Sequence, residues 1–314
     1  MKAALSSVTT MATDWQFACP ACREPLDSAG SSFTCPACAA AYERLDGIVS
    51  LLTPERREYY SQFLRDYTHI RLAEGRGAQP TSYFLRLPEC DPAHPMAWQW
   101  RIRSGTVKAF DRMGLSHGLK VLDLGAGCGW FSNHLARSGQ HPCAVDITID
   151  DQDGLRAARH YGARWPCVQA DFDGLPFPDG SVDVVVYNAS FHYSTDYART
   201  LSEALRVLHP AGRVVVLETP IYNRAESGAR MAAERHRQFE KRYGTRSESV
   251  PSIEYLTWEM LRKLGDELNL SWSVVRPWYG LKWALRPWIA RLKRKREPSR
   301  FAILIAERKE PSRR

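Results

Sequence analysis

The chain has 314 residues, 44% of them apolar and 25% charged, with a net charge of +8. That length can bury one large or two modest cores, and the composition is that of an ordinary globular protein, which excludes a disordered or fibrous chain. No apolar run reaches the roughly eighteen residues a membrane-crossing helix needs, so no transmembrane helix is expected and the expected location is the cytoplasm.

The charge is uneven. Residues 276–314 carry thirteen Lys/Arg against three Asp/Glu, a net of +10, so the other 275 residues sum to −2. The basic excess belongs to the C-terminal segment and not to the fold. In chain order, residues 1–13 lack the apolar core of a signal peptide and read as a disordered leader. Within 14–52, Cys19-Pro-Ala-Cys22 and Cys35-Pro-Ala-Cys38 are two CxxC knuckles separated by twelve residues. Each knuckle aims two thiolates at one point, and two together complete a tetrahedron for a structural Zn²⁺. Phe17, Phe33 and Tyr42 suit short strands around it, and Arg23 and Arg44 are placed to offset thiolate charge. Cys90, Cys128, Cys143 and Cys167 are scattered and read as small buried hydrophobes.

Residues 53–117 read as a helical linker or cap. Thr53-Pro54 starts a helix with Thr as N-cap and Pro in the first turn. It runs to about Ala73 with Tyr59, Tyr60, Phe63, Tyr67 and Ile70 as an apolar stripe. A second helix covers Met96 to Met113 and carries Trp98, Trp100, Arg101 and Arg103. Next, Val121 to Leu124 is a short apolar run suited to a buried parallel strand. Gly125, Gly127 and Gly129 then alternate before a helix from Phe131. Glycines there let backbone approach a ligand, with the helix N-terminus aimed at the same spot. Pro142 to Ile147 is a second strand ending in Asp146, where a doubly wound α/β fold grips ribose hydroxyls. Asp171 stands at the tip of a third strand, and Val182 to Tyr187 forms a fourth, followed by Asn188, His192 and Tyr193.

The segments DLGAGCG (123–129), VDI (145–147), ADFDGLPFPDGSVDVVVYNASFH (170–192) and EALRVLHPAGRVVVLE (203–218), in this order and spacing, resemble the class I S-adenosylmethionine (SAM)-dependent methyltransferases. The likeness is to the branch that includes quinone-biosynthesis and other small-molecule enzymes, and it covers about 119–218. Pro210-Ala211-Gly212 departs from the usual Pro-Gly-Gly, a small change at a turn. The resemblance implies a doubly wound, seven-stranded Rossmann-like α/β sheet over 118–309, with the zinc ribbon N-terminal to it. It also implies SAM contacts from Asp123, Gly125, Ala126, Gly127, Gly129, Asp146, Ile147, Asp171, Phe172 and Asn188. Asp146 would take the ribose hydroxyls, Asp171 the adenine amine and the Phe172 amide the ring nitrogen. Asp123 would act on the amino group or order the glycine loop. Arg103 is either a partner for the SAM carboxylate or an exposed helix arginine. His192 and Tyr193 are the candidate catalytic residues, since a histidine titrates near neutrality.

After these motifs, Thr195 to Leu208 is helical and Val214 to Leu217 is the fifth strand. Residues 221–250 read as an insertion that lids the site or lies as a solvated helix. Ile253 to Leu268 is another helix, and Ser271 to Val275 with Phe301 to Ala306 would form an antiparallel pair. Between them, 276–298 interleaves Trp278, Trp283 and Trp288 with Lys and Arg. That pattern suits an anionic membrane surface or RNA; packing of the tryptophans on the pocket is the alternative. Residues 310–314 are a tail. The ribbon around Asp46 to Leu52 also resembles small zinc-ribbon activators of methyltransferases. Three functions follow: methyl transfer to O, N or C of a small or lipid-like metabolite; methylation of an RNA base, with the ribbon and basic segment binding RNA; or a non-catalytic SAM-binding adaptor.

Overall fold

The structure, a computed structural model, describes residues 15–77, 79–162 and 165–309. The expected leader (1–13) and tail (310–314) lie outside the described residues. Strands β1 (Asp27–Ala29), β2 (Ser32–Thr34), β3 (Ala41–Leu45) and β4 (Ile48–Ser50) form an antiparallel meander. Asp46-Gly47 joins β3 to β4 as a two-residue turn with φ of 51° and 83°, the twist that matches hairpin strands. Helix α1 (Pro54–Arg71) follows at once. Thr53 caps it, its hydroxyl accepting from the Arg56 N–H at 3.3 Å. A wider turn continues through Arg76, and α2 (Thr81–Arg86) and α3 (Ala97–Asp111) complete the cap.

The central region alternates β5 (Lys120–Leu124), α4 (Trp130–Arg137), β6 (His141–Asp146), β7 (Cys167–Gln169), β8 (Val182–Asn188), α5 (Tyr197–Val207) and β9 (Leu208–Leu217). Then come β10 (Ile221–Tyr222), α6 (Ala225–Tyr243), β11 (Leu256–Thr257), α7 (Trp258–Glu267), β12 (Leu270–Val275), α8 (Leu281–Ala284), α9 (Arg286–Leu292) and β13 (Ile303–Arg308). The seven strands β7-β6-β5-β8-β9-β13-β12 form the expected doubly wound sheet, parallel except for β13. Along the strands successive residues enter opposite layers. Leu122, Val185, Tyr187, Val214 and Val216 face one core, with Leu201 of α5 and Leu261 of α7. Val121, Val184, Val186, Val215 and Leu217 face the other, with Phe110 of α3 and Phe131 of α4. This period of two, apolar on both faces, is why the strands read as near-continuous hydrophobic runs.

Two features go beyond the sequence reading. The ribbon does not stand apart: β4 pairs in parallel with β7, Ile48 opposite Cys167, which extends the sheet to eleven strands. Phe17 and Phe33 lie in the same apolar cluster as Leu122 and Val145. The helix expected over Ile253 to Leu268 begins only at Trp258, because Leu256-Thr257 pair with Ile221-Tyr222 and Thr257 caps the helix by accepting from the Met260 N–H at 3.1 Å. Among the described residues no helix is long and apolar enough to cross a membrane.

Candidate cofactor and acceptor site

The tips of β5, β6 and β8 open onto one side of the sheet. After Leu124 the chain turns through Gly125, Gly127 and Gly129 at φ of 75°, 53° and 75°, a region that costs other residues strain. A Cβ at Gly125 would come within 2.3 Å of the Ser190 Cβ, so the loop closes on Ser190 only because a side chain is missing. The cavity above this loop is lined by Asp123, Gly125, Ala126, Gly127, Asp146, Ile147, Asp171, Phe172, Asn188 and Tyr193. Two expected residues are not in its wall. Gly129 points towards Ala158 and Tyr161 behind the loop, where it serves as N-cap of α4. His192 faces a neighbouring cavity.

The carboxylates differ in their ties. One oxygen of Asp123 accepts from the Ser132 hydroxyl at 2.7 Å, and the other is buried with no partner. Burial lifts its pKa to about 7. Asp146 accepts from the Gly127 N–H and the Thr148 N–H, both at 2.8 Å, and burial lifts its pKa to about 6. An orphaned buried acceptor beside a glycine loop, with a carboxylate at the second strand tip, fits the amino group and ribose of SAM. Asp171 is less free than the sequence implied: Arg56 of α1 forms an ion pair with it, and the Asp173 N–H donates to it at 2.9 Å. Arg103 is no exposed helix arginine. It lines both cavities, with its guanidinium 4.4 Å from the Trp100 ring and its Nε 3.6 Å from Glu218.

Helix α1 roofs the site with Tyr60, Phe63, Tyr67 and Arg71. In the sequence these aromatics read as an apolar stripe facing a core. Their excess of tyrosine over leucine was the available signal, since a tyrosine needs a partner for its hydroxyl when buried. Tyr193 stands between the two cavities and accepts from Arg71 at 3.3 Å. The second cavity, of about 250 Å³, shares Arg71, Arg76 and Arg103 with the first and adds His192, Arg235 and Phe239 of α6, and Glu254. The near-neutral titration expected of His192 does not hold. Burial, then the charges of Arg235 and Arg71, push its pKa down to about 3, so the ring is neutral at physiological pH. Arg235 and Glu254 had no sequence signal; Glu254 sits at φ 71°, a strained conformation for a side-chain-bearing residue.

At the far end of the sheet, the thiol groups of Cys19, Cys22, Cys35 and Cys38 all lie within 4.8 Å of one another. Neighbouring sulfurs are 3.4 and 3.6 Å apart, close to the roughly 3.8 Å edge of a tetrahedron with Zn–S bonds of about 2.3 Å. The knuckles match: Arg23 N–H donates to the Cys19 carbonyl and Ala39 N–H to the Cys35 carbonyl, at 2.7 and 2.9 Å. The donor set therefore fits a closed, structural metal site. Arg23 and Arg44 do not cover it as expected; Arg23 pairs with Glu203 at 3.5 Å and Arg44 lies over Phe33.

The Trp-rich segment lines neither cavity. Tyr279 is tied to Thr106 of α3 at 2.9 Å, and Trp283 packs on Tyr279 and Phe301. That leaves Trp278, Leu281, Leu285, Trp288 and Leu292 exposed.

A family model described as a methyltransferase domain matches residues 122–216. The malonyl-[acyl-carrier protein] O-methyltransferase of Erwinia billingiae is 35% identical over 98 residues, 31% of this chain and 38% of its own length. The demethylmenaquinone methyltransferase of Corynebacterium urealyticum is 36% identical over 112 residues, 35% of this chain and 46% of its own length. The chain thus spans less than half the length of these curated relatives. A solved geranyl diphosphate methyltransferase shares the fold, with 17% identity, a TM-score of 0.52, and coverage of 80% of this chain and 100% of its own. The matched strands are those that carry the glycine loop and Asp146, so the part of the chain similar to a methyltransferase domain is the part that forms the glycine-loop cavity.

Proposed function

We propose that the protein transfers the methyl group of SAM to an O, N or C atom of a small or lipid-like metabolite. The observation that carries this reading is the continuity of two cavities through Tyr193, one shaped by the glycine loop and the other lined by buried polar side chains. SAM supplies an already activated methyl, so the protein's part is positioning and exclusion of water. Asp146 holds the ribose, Asp123 the amino group, Asp171 and Phe172 the adenine, and Asn188, Ile147 and Ala126 complete the wall. Tyr193 and a neutral His192 orient the acceptor. Cys19, Cys22, Cys35 and Cys38 hold Zn²⁺ in a structural role. The test is SAM with a labelled methyl group, offered with cell extract split into RNA, lipid and small-metabolite fractions. Label in lipid or metabolite is expected. Label in RNA would replace this reading with RNA-base methylation, and no label despite bound SAM would favour the adaptor.

We also propose that the protein lies in the cytoplasm and touches an anionic membrane surface through 278–296. Trp288 is 72% and Leu292 85% exposed, with Arg291, Lys293, Arg294 and Lys295 beside them. Apolar anchors flanked by cations insert at a charged headgroup layer. Sedimentation with phosphatidylglycerol vesicles should pellet the protein, and a Trp288→Glu, Leu292→Glu double variant should lose about tenfold or more in binding. Equal behaviour of variant and parent would remove the surface from consideration.

A further inference from the structure

The cavity beyond Tyr193 carries a charge pattern that methyl transfer alone does not require. Four arginines, Arg71, Arg76, Arg103 and Arg235, line it against a single carboxylate, Glu254. Arg235 reaches Glu254 at 2.7 Å, Arg103 faces Glu218 at 3.6 Å, and Arg71 and Arg76 share Glu74 and Asp153, the latter in the wall of the cofactor cavity. Those pairings leave polar atoms over. Nε of Arg235, Oε2 of Glu254 and Nδ1 of His192 are buried without a hydrogen-bond partner. Buried, unsatisfied polar atoms are rare in folded proteins, and these three belong to residues that line one cavity, the kind of place where a ligand completes the bonding.

We infer that this cavity is the acceptor site and that it takes a compact anion, a metabolite bearing a carboxylate or a phosphate, gripped by Arg235 with Arg71 and Arg76. The inference rests on the methyl-transfer reading above and specifies its substrate class. The sign follows from the wall. The guanidinium groups line this cavity while their partners Glu218, Asp153 and Glu74 do not, so an anion meets charged donors at the wall and a cation meets repulsion. Guanidinium forks match planar carboxylates and phosphates with paired, charge-assisted hydrogen bonds. The same positive field contributes to holding His192 neutral, so its unpartnered Nδ1 can meet a hydroxyl or amine of the acceptor, while Oε2 of Glu254 accepts from a second donor. Helix α6 brings Arg235 and Phe239 over this cavity, and His69 of α1 meets the carbonyl of Tyr243 at its end, at 3.1 Å. The insertion thereby supplies the acceptor wall, and α1 is shared by both cavities.

The test divides the metabolite fraction on an anion-exchange resin and offers the flow-through and the salt-eluted portions separately, with labelled SAM and the full chain. Label is expected in the eluted portion. Phosphatase treatment of that portion distinguishes the two sources: label lost after treatment identifies a phosphate ester, and label kept identifies a carboxylate. Arg235→Gln, which does not line the SAM cavity, should keep SAM affinity by calorimetry. It should lose about tenfold or more in labelling rate at limiting extract, recover as extract is concentrated, and be partly rescued in Arg235→Lys. Label in the flow-through, or labelling indifferent to Arg235→Gln, overturns the anionic acceptor and leaves methyl transfer standing. No label in either portion with SAM bound overturns the methyl-transfer reading and the acceptor class together.

Discussion

Removal of zinc, or Cys35→Ser, is expected to lower the thermal midpoint by roughly 6–12 °C and to weaken SAM binding by about tenfold or more. The size follows from how the ribbon is joined to the rest. Its strands continue the central sheet through β4 and β7, and the Leu51 N–H donates to the Gln169 carbonyl at 2.9 Å. Phe17 packs on Phe177 with ring centroids 5.8 Å apart. A module this small has no core of its own, so metal affinity is folding energy. Loosening it exposes Phe17 and Phe33, each worth about 1.5–3 kcal/mol when buried. The effect on SAM comes through α1, which follows β4 after a three-residue link, carries Tyr60 and Tyr67 to the cofactor cavity and pairs Arg56 with Asp171 in its wall. Calorimetric scans and SAM titrations before and after chelation, with metal content checked by elemental analysis, measure both. If the midpoint and the affinity survive complete metal loss, the coupling between ribbon and cofactor site is refuted.

SAM binding at pH 6.5 is expected to release about one proton, and affinity should fall about a thousandfold between pH 8 and pH 5. In the free protein Asp123 and Asp146 titrate at about 7 and about 6 because both are desolvated. At pH 6.5 about three-quarters of the first and a quarter of the second hold a proton. An ammonium group against the unpartnered Asp123 oxygen, and ribose hydroxyls on Asp146, favour the ionised forms, so the protons leave on binding. The sign for stability follows. These carboxyls bind more protons folded than unfolded from about pH 4 to 7, so they subtract stability from the free protein as pH rises through that window. The stabilisation conferred by SAM should therefore grow from pH 5 to pH 8. Titrations in buffers of different ionisation enthalpy count the protons, and Asp123→Asn should abolish most of the release. No release in the parent protein would show that these carboxyls are not the ones facing the cofactor.

Much of the site was legible in the residues because it is written in short spacings. Three glycines after an apolar run, a carboxylate about twenty residues on, and paired CxxC knuckles are local patterns, and covalent geometry puts each near its task whatever surrounds it. Asp123, Asp146 and Phe172 therefore line one cavity, and Cys19, Cys22, Cys35 and Cys38 converge. The strands were equally readable, since strands buried on both faces declare themselves by unbroken apolar runs, whereas their doubly wound arrangement was implied only by the family resemblance.

What only the tertiary structure decided concerns charged residues distant in the chain. Arg56, Arg71 and Arg235 sit on polar positions of helices, and helical periodicity separates apolar from polar positions without saying which polar positions another element will cover. Packing of α1 over the glycine loop places Arg56 on Asp171. The placement of α6 turns Arg235 towards Glu254. The same burial carries His192 from a titratable base to a neutral ring. The sequence alone determined the chemistry of the cofactor half, which depends on short-range backbone geometry. The tertiary structure determined the second cavity, because desolvation and charge balance belong to no single stretch of chain.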